Sequence, residues 1–320
     1  MRIHFWGTRG SLPVATHGEA IRRRLRRALR LASGRSFASD ADIERFIDQE
    51  LDLPTRHGYG GNTSCVEIIA GSRERVICDM GSGLRELSQQ VMERHGPGVP
   101  HDYVFFLSHV HWDHIMGFPF FMPAYIPGNT LRIHGCHRVL EAALRRQHRA
   151  PSFPVDFDQL GARIEFVYLD EQRTYDIAGL WVSAFRQPHS GDSYGFRFGK
   201  DGRSVVYSTD AEHKLQSPQA TEAYVEFLRG ADLVIFDAMY SLADMITIKE
   251  DWGHSSNTIG VDLCHRAGVK QLCMFHHEPA YDDDKIHTIL QETRRYEEIT
   301  RQSHPPLAVS SAYDGLEIEV

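Results

Sequence analysis

Apolar positions recur along the chain with two periods. Short runs rich in Val, Ile, Phe and Tyr, bounded by Gly, Pro or Asp, predict strands. They lie at Arg2 to Trp6, Ser64 to Ile69, Arg75 to Asp79, Tyr103 to Leu107, Leu131 to His134 and Ile164 to Leu169. A second group lies at Leu180 to Phe185, Gly195 to Phe198, Ser204 to Ser208, Leu233 to Asp237, Gln271 to Phe275 and Leu316 to Val320. Lys200-Asp201-Gly202 between two of these runs predicts an antiparallel hairpin, because Asp-Gly readily takes positive φ. Helical periodicity marks 137–149, 219–230 and 257–267. A fourth helix starts at Asp282-Asp283-Asp284, whose charge suits the positive end of the helix dipole, and runs to Ile299. Strands that pair early and alternate with helices later predict an α/β fold, a mixed sheet with covering helices.

One stretch breaks this rhythm. Between the loop Gly7-Thr8-Arg9-Gly10-Ser11-Leu12-Pro13 and Gly60-Gly61-Asn62-Thr63, residues of about 15–57 read as two amphipathic helices inserted into a single domain spanning 1–320. The first sets Ile21, Leu25 and Leu29 on one face among Arg22, Arg23, Arg24, Arg26, Arg27 and Arg30. The second sets Ile43, Phe46, Ile47 and Leu51 on one face and is expected to stop at Pro54. The arginine run reads as a solvated helix face, with a phosphate-attracting lid or a homodimer contact as the rival reading.

Charge narrows the partners. With 35 Lys and Arg against 43 Asp and Glu, the net charge is −8. A surface built to coat a long nucleic acid or an anionic membrane is therefore not expected, which leaves a small polar substrate. Cys65, Cys78, Cys136, Cys264 and Cys273 are odd in number and form no C-x-x-C pair, against a disulfide framework and a zinc knuckle. No apolar run approaches a membrane span and the N-terminus has no apolar signal core, so a cytoplasmic protein is expected.

Histidine is the anomaly, at 19 residues. The densest cluster is Ser108-His109-Val110-His111-Trp112-Asp113-His114, directly after an apolar strand, where a sharp turn lets ligands converge. His109 and His111 can grip one divalent ion, and Asp113 and His114 a second. Two such ions about 3.5 to 4 Å apart share a hydroxide of lowered pKa, a nucleophile at neutral pH. Two coordination spheres need further ligands from other strand ends: His189, Asp210 and His276 follow predicted strands, and Asp210 has the two oxygens that bridging requires. His277 adjoins His276 and competes for the same place. Asp79, also at a strand end, either orients a ligating imidazole or caps a turn. His213, three residues after Asp210, is expected at the surface.

The ordered set H-x-H-x-D-H, single His, Asp and final His resembles the metallo-β-lactamase fold superfamily of metal-dependent hydrolases. The likeness covers the chain except the helical insertion, and it implies an αβ/βα four-layer sandwich with a dinuclear site at one edge of two packed sheets. It also favours His276 over His277. Gly7-Thr8-Arg9-Gly10-Ser11, Gly61-Asn62-Thr63-Ser64 and Gly253-His254-Ser255-Ser256 resemble the tRNase Z and cyclic-nucleotide phosphodiesterase-like branch. That resemblance implies two divalent ions, zinc or manganese, held by His109, His111, Asp113, His114, His189, Asp210 and His276. It makes His254 the general acid, with Asp113 counted among the catalytic residues. The expected activity is hydrolysis of a small phosphodiester such as a cyclic nucleotide. The short His95-Gly96-Pro97-Gly98 is no match for the branch's tRNA-gripping arm, so tRNA processing is not expected. Hydrolysis of an ester, lactone or thioester, or a metal-bound sensing module without turnover, are the alternatives.

Overall fold

Along Tyr103-Val104-Phe105-Phe106-Leu107 successive side chains point to opposite faces, and all five are buried. A strand apolar on both faces needs a layer on each side. The computed structural model, which describes residues 1–171, 173–213, 217–242, 244 and 252–320, supplies both layers. The strands are β1 (Arg2–Gly7), β2 (Cys65–Ile69), β3 (Arg75–Cys78), β4 (Asp102–Phe106), β5 (Thr130–Gly135), β6 (Arg163–Tyr168) and β7 (Thr174–Ile177). They continue as β8 (Leu180–Gln187), β9 (Ser193–Lys200), β10 (Arg203–Ser208), β11 (Leu233–Asp237), β12 (Gln271–Phe275), β13 (Ala308–Ser311) and β14 (Glu317–Glu319). One sheet has the order β14-β1-β2-β3-β4-β5-β6 and the other β13-β12-β11-β10-β9-β8-β7. Strands β3 to β6 run parallel, as do β10 to β13.

Val104 and Phe106 join Ile3, Val66, Val182, Phe198, Tyr207 and Phe275 in a core between the sheets. Tyr103, Phe105 and Leu107 face the opposite way, against Leu84, Leu87 and Val91 of a helix over Leu84–His95 and Leu140 and Leu144 of another over Leu140–Gln147. Helices over Pro218–Leu228, Asn257–Ala267 and Asp283–Thr300 cover the second sheet. This is the αβ/βα sandwich that the sequence leads one to expect. The hairpin is present as well: Lys200 pairs with Arg203, and Asp201 and Gly202 both have positive φ.

Two strands and one longer helix lie outside the expectation, besides short helical turns such as Trp112–Ile115. β7 and β13 are four-residue edge strands, too short for a period of two to register. The helix over Leu84–His95 carries a readable row, Leu84, Leu87 and Val91, directly behind the Gly81-Ser82-Gly83 turn.

The insertion holds three helices: α1 (Gly18–Ala32), α2 (Asp40–Glu50) and α3 (Leu53–Arg56). Pro54 does not stop α2. It lies in the first turn of α3, where a missing N–H costs nothing, and Asp52 caps that turn by accepting from the Thr55 N–H at 3.1 Å. α1 is amphipathic as expected, yet its apolar row faces solvent: Ile21, Leu25 and Leu29 are 47, 58 and 70% exposed. The cause is electrostatic, since Arg23, Arg24 and Arg27 reach Asp282, Asp283 and Asp284 at the start of the C-terminal helix. With Arg26 beside Glu19 at 3.8 Å, four of the six arginines are thus paired with this chain's own carboxylates.

Asp314 binds the loops that flank the insertion. Its Oδ2 accepts the N–H groups of Gly61 and Asn62, each at 2.9 Å, and its Oδ1 accepts the Thr8 hydroxyl at 3.0 Å. Burial pushes its carboxyl up to about 6 in spite of these bonds. Asp314→Ala leaves the Gly61 and Asn62 N–H groups without an acceptor, the Thr8 hydroxyl keeping the Tyr59 carbonyl at 3.2 Å, and is expected to cost about 2 to 4 kcal/mol in guanidinium unfolding, with Asp314→Asn costing less. Equal stability of the Ala variant and the parent would remove Asp314 as the clamp.

Candidate metal centre

The candidate ligands come from strand ends. His109 and His111 follow β4, Asp113 and His114 lie in the short helix Trp112–Ile115, His189 follows β8, Asp210 follows β10 and His276 follows β12. Asp79, Asp210 and His276 have φ of 59°, 39° and 62°. Non-glycine residues rarely adopt this left-handed region, and such strain gathers at functional sites. Here it turns the chain sharply at the carboxyl end of β3, β10 and β12.

These side chains form two clusters that share Asp210: the second is buried throughout, while the first opens to solvent at His111 and in part at His189. In the first, His189 Nε2 lies 3.1 Å from His111 Nδ1 and 3.7 Å from Asp210 Oδ2, and His109 Nε2 lies 3.6 Å from the same oxygen. In the second, His114 Nε2 lies 3.2 Å from Asp113 Oδ2, 3.1 Å from Asp210 Oδ1 and 3.3 Å from His276 Nε2. His276 Nε2 is also 3.1 Å from Asp113 Oδ2 and 3.2 Å from Asp210 Oδ1. Asp210 therefore presents one oxygen to each cluster.

A shell of acceptors decides which imidazole nitrogens face inward. Asp79 Oδ2 accepts from His114 Nδ1, the Ser108 hydroxyl and the Tyr207 hydroxyl, each at 2.7 Å. Having donated its proton to Asp79, Ser108 Oγ accepts from His109 Nδ1 at 3.0 Å. The Gly253 carbonyl accepts from His189 Nδ1 at 2.8 Å, and a Cβ on Gly253 would press to 2.7 Å from that nitrogen. The Nε2 lone pairs of His109, His114 and His189 are thereby aimed at the clusters. Of the two readings open for Asp79, the geometry is that of an imidazole-orienting carboxylate.

Divalent cations fit this donor set. Ligands at about 2.0 to 2.1 Å from one tetrahedral ion stand about 3.3 Å apart, within the 3.1 to 3.7 Å spacings of both clusters. His109 Nε2 is buried without a hydrogen-bond partner. Burial pulls the His109, His111 and His189 imidazoles down toward the neutral, ligating form. Asp113 and Asp210 stay ionised despite burial because the neighbouring imidazoles lower them.

The Gly7–Pro13 loop closes one side. Its Ser11 N–H donates to Asp113 Oδ2 at 2.8 Å, and a Cβ on Gly10 would collide with the His276 ring at 2.6 Å, which explains a glycine there. Buried Arg9 holds the loop by donating to the carbonyls of Gly60, Glu278 and Tyr281. His277 points away from both clusters, its Nε2 donating to the Ala312 carbonyl at 2.8 Å. His213 is buried, contrary to its expected surface position, because the ring stacks on Tyr224 at 3.8 Å.

His254 stands beside the clusters, its ring 5.0 Å from that of His276 and 5.3 Å from that of His189. Its Nδ1 donates to Asp237 Oδ2 at 2.8 Å. Burial disfavours the imidazolium, but the Asp237 carboxylate outweighs it and raises His254 to about 9. Asp237 was missed in the sequence, although a carboxylate ending an apolar strand is the signal that singled out Asp79.

Comparison with known proteins now bears on this geometry. Residues 74–277 match the Beta-lactamase superfamily domain. The chain belongs to that family. A Ribonuclease Z of Geobacillus kaustophilus is 24% identical over 238 residues, covering 59% of this chain and 74% of its own. Human tRNase Z, short form, superposes with a TM-score of 0.58 at 18% identity over 100% of this chain and 99% of its own. Zn(2+)-bound PqqB from Methylobacterium extorquens superposes with a TM-score of 0.64 at 14% identity over 100% of both chains. The protein is thus a metallo-β-lactamase-fold hydrolase.

The relatives correct one expectation. A long nucleic acid cannot be set aside as a partner when curated relatives across the superfamily domain are named Ribonuclease Z. The error lay in reading a net charge of −8 as a local property, since a sum over the chain says nothing of the field at one cleft. Among the described residues no helix is long and apolar enough to cross a membrane.

Asp79→Asn is expected to weaken metal binding about 10- to 100-fold, as loss of an imidazole-orienting partner typically does. Competition against a chromophoric chelator measures it, with His277→Ala as the control expected to keep parental affinity. Unchanged affinity in Asp79→Asn would detach the orienting shell from the centre.

Proposed function

We propose that the protein hydrolyses phosphodiesters at the paired clusters. The reading rests on one observation above the rest: His254, its Nδ1 bonded to the Asp237 carboxylate, stands beside a carboxylate, Asp210, that presents one oxygen to each of two ligand sets. Ribonuclease Z relatives support it by their name.

His109, His111, His189 and Asp210 would hold one divalent ion, and Asp113, His114, His276 and Asp210 a second. Bound there, such ions supply Lewis acidity toward phosphoryl oxygens and a water of lowered pKa. The chain's own residues do the rest. Asp210 keeps anionic charge between the two sets. Asp79 and Ser108 hold His114 and His109 in the tautomers that point Nε2 inward. Asp237 fixes His254 through Nδ1, which leaves Nε2–H to protonate the departing alkoxide oxygen as the P–O bond breaks.

A cyclic nucleotide and an RNA chain both contain the bond in question, so a first panel includes both. His254→Ala is expected to keep its metal content and lose about 10² to 10⁴ in turnover of ribose diesters, the usual contribution of a general acid. Nitrophenyl diesters, whose leaving group is stable as an anion, should lose far less. An equal loss on both classes would show that His254 positions the substrate without donating a proton, and no turnover of any diester by the metal-loaded parent would end the phosphodiester reading.

A further inference from the structure

The helix α1 has no buried residue. It forms a surface ridge of 15 residues, about 22 Å long at 1.5 Å per residue. Ile21, Leu25 and Leu29 recur every four residues and so stand one above another in an exposed apolar row. Arg22, Arg26 and Arg30, each the next residue in the chain, form a second row beside it. The other three arginines turn to the body of the domain, where Arg23, Arg24 and Arg27 meet Asp282, Asp283 and Asp284. Among the described residues Arg22 and Arg30 have no acidic partner, and Arg26 has only Glu19 of its own helix, at 3.8 Å.

An aliphatic row flanked by arginines on an exposed helix is the pattern of a segment that lies in the plane of a lipid–water interface. Aliphatic side chains enter among the acyl chains while guanidinium groups, on long flexible stems, stay at the headgroup phosphates. The net charge of −8 does not oppose this locally, because fields between exposed charges fade over about 8 Å at physiological ionic strength. The aspartates that α1 touches are already paired with Arg23, Arg24 and Arg27. A second copy of the chain fits the ridge less well, since laying row on row antiparallel sets Arg22, Arg26 and Arg30 against the same three arginines. A nucleic acid would engage the arginines and leave the aliphatic row in water.

We propose that α1 docks the protein on an anionic lipid surface, with Ile21, Leu25 and Leu29 entering the interface and Arg22, Arg26 and Arg30 at the headgroup phosphates. The ion pairs to Asp282, Asp283 and Asp284 fasten the helix to the domain, so the whole chain is carried with it. None of these residues belongs to the metal clusters, and the docking surface stands or falls independently of the reaction proposed for them.

Co-sedimentation of the full-length protein with phosphatidylcholine vesicles, prepared with and without phosphatidylglycerol, tests the assignment. The parent is expected to bind the anionic vesicles about tenfold or more tightly than the neutral ones, each arginine at the surface contributing. Most of that difference should vanish at about 1 M salt, where the screening length falls to about 3 Å. Leu25→Asp places a charge in the aliphatic row at an exposed position, so thermal unfolding should be unchanged while vesicle binding falls about tenfold or more. Arg22→Gln combined with Arg30→Gln is the second arm and should lose about tenfold on anionic vesicles with little change on neutral ones. Failure of the parent to bind vesicles, equal binding to both kinds, or parental binding by Leu25→Asp overturns the lipid surface. A parent whose molecular mass is that of two chains and halves in Leu25→Asp would also overturn it, because a second copy then covers the row. So would binding of an adenylate oligomer that the arginine variant loses and Leu25→Asp keeps, in a protein that ignores vesicles.

Discussion

The structure depends on burying the Asp210 carboxylate among imidazoles whose ring nitrogens face it. Two carboxylates and five histidines converge at strand ends, and Asp113, His114, Asp210 and His276 are all buried. Two carboxylates this close and this buried stay ionised only with positive charge beside them, which the surrounding imidazoles begin to supply. The acceptors behind the rings hold the donors in this arrangement from the outside. A rearrangement that turned His114 away would have to break its bond to Asp79, which also holds Ser108 and Tyr207.

The remainder of the fold serves that constraint. Parallel strands bring their carboxyl ends to one edge, and left-handed residues at three of those ends turn the chain at once. The loop after β1 then closes over the second cluster, with Gly10 against His276 and Ser11 on Asp113. Arg9 and Asp314 fasten that loop from opposite sides, one by donating to three carbonyls and the other by accepting three protons. The glycine-rich strings at 7–11 and 60–63 are thus parts of one clamp, far apart in the chain and adjacent in space.

Much of this was legible in the chain because the chemistry is dense and local. The H-x-H-x-D-H string, the later His, Asp and His, and the alternation within β4 point to layers and site together. What could not be read depends on contacts between distant segments. Asp237 gains its meaning from His254 and Ala211, and His213 is buried where Tyr224 and Phe236 stack on it. Amphipathicity predicted α1 but not its orientation, which three aspartates some 250 residues away decide. Overall charge misled for the same reason, being blind to place.

Asp237 joins two parts of the site that are otherwise separate. Its Oδ2 accepts both the His254 Nδ1 proton and the backbone N–H of Ala211, the residue after Asp210. One oxygen atom therefore ties the shared carboxylate's loop to the neighbouring imidazolium. The two cannot drift independently, so the gap between them acts as a fixed gauge. Substrates of different size must present the same reacting group across that gap, and variation in what is accepted falls to the surrounding walls.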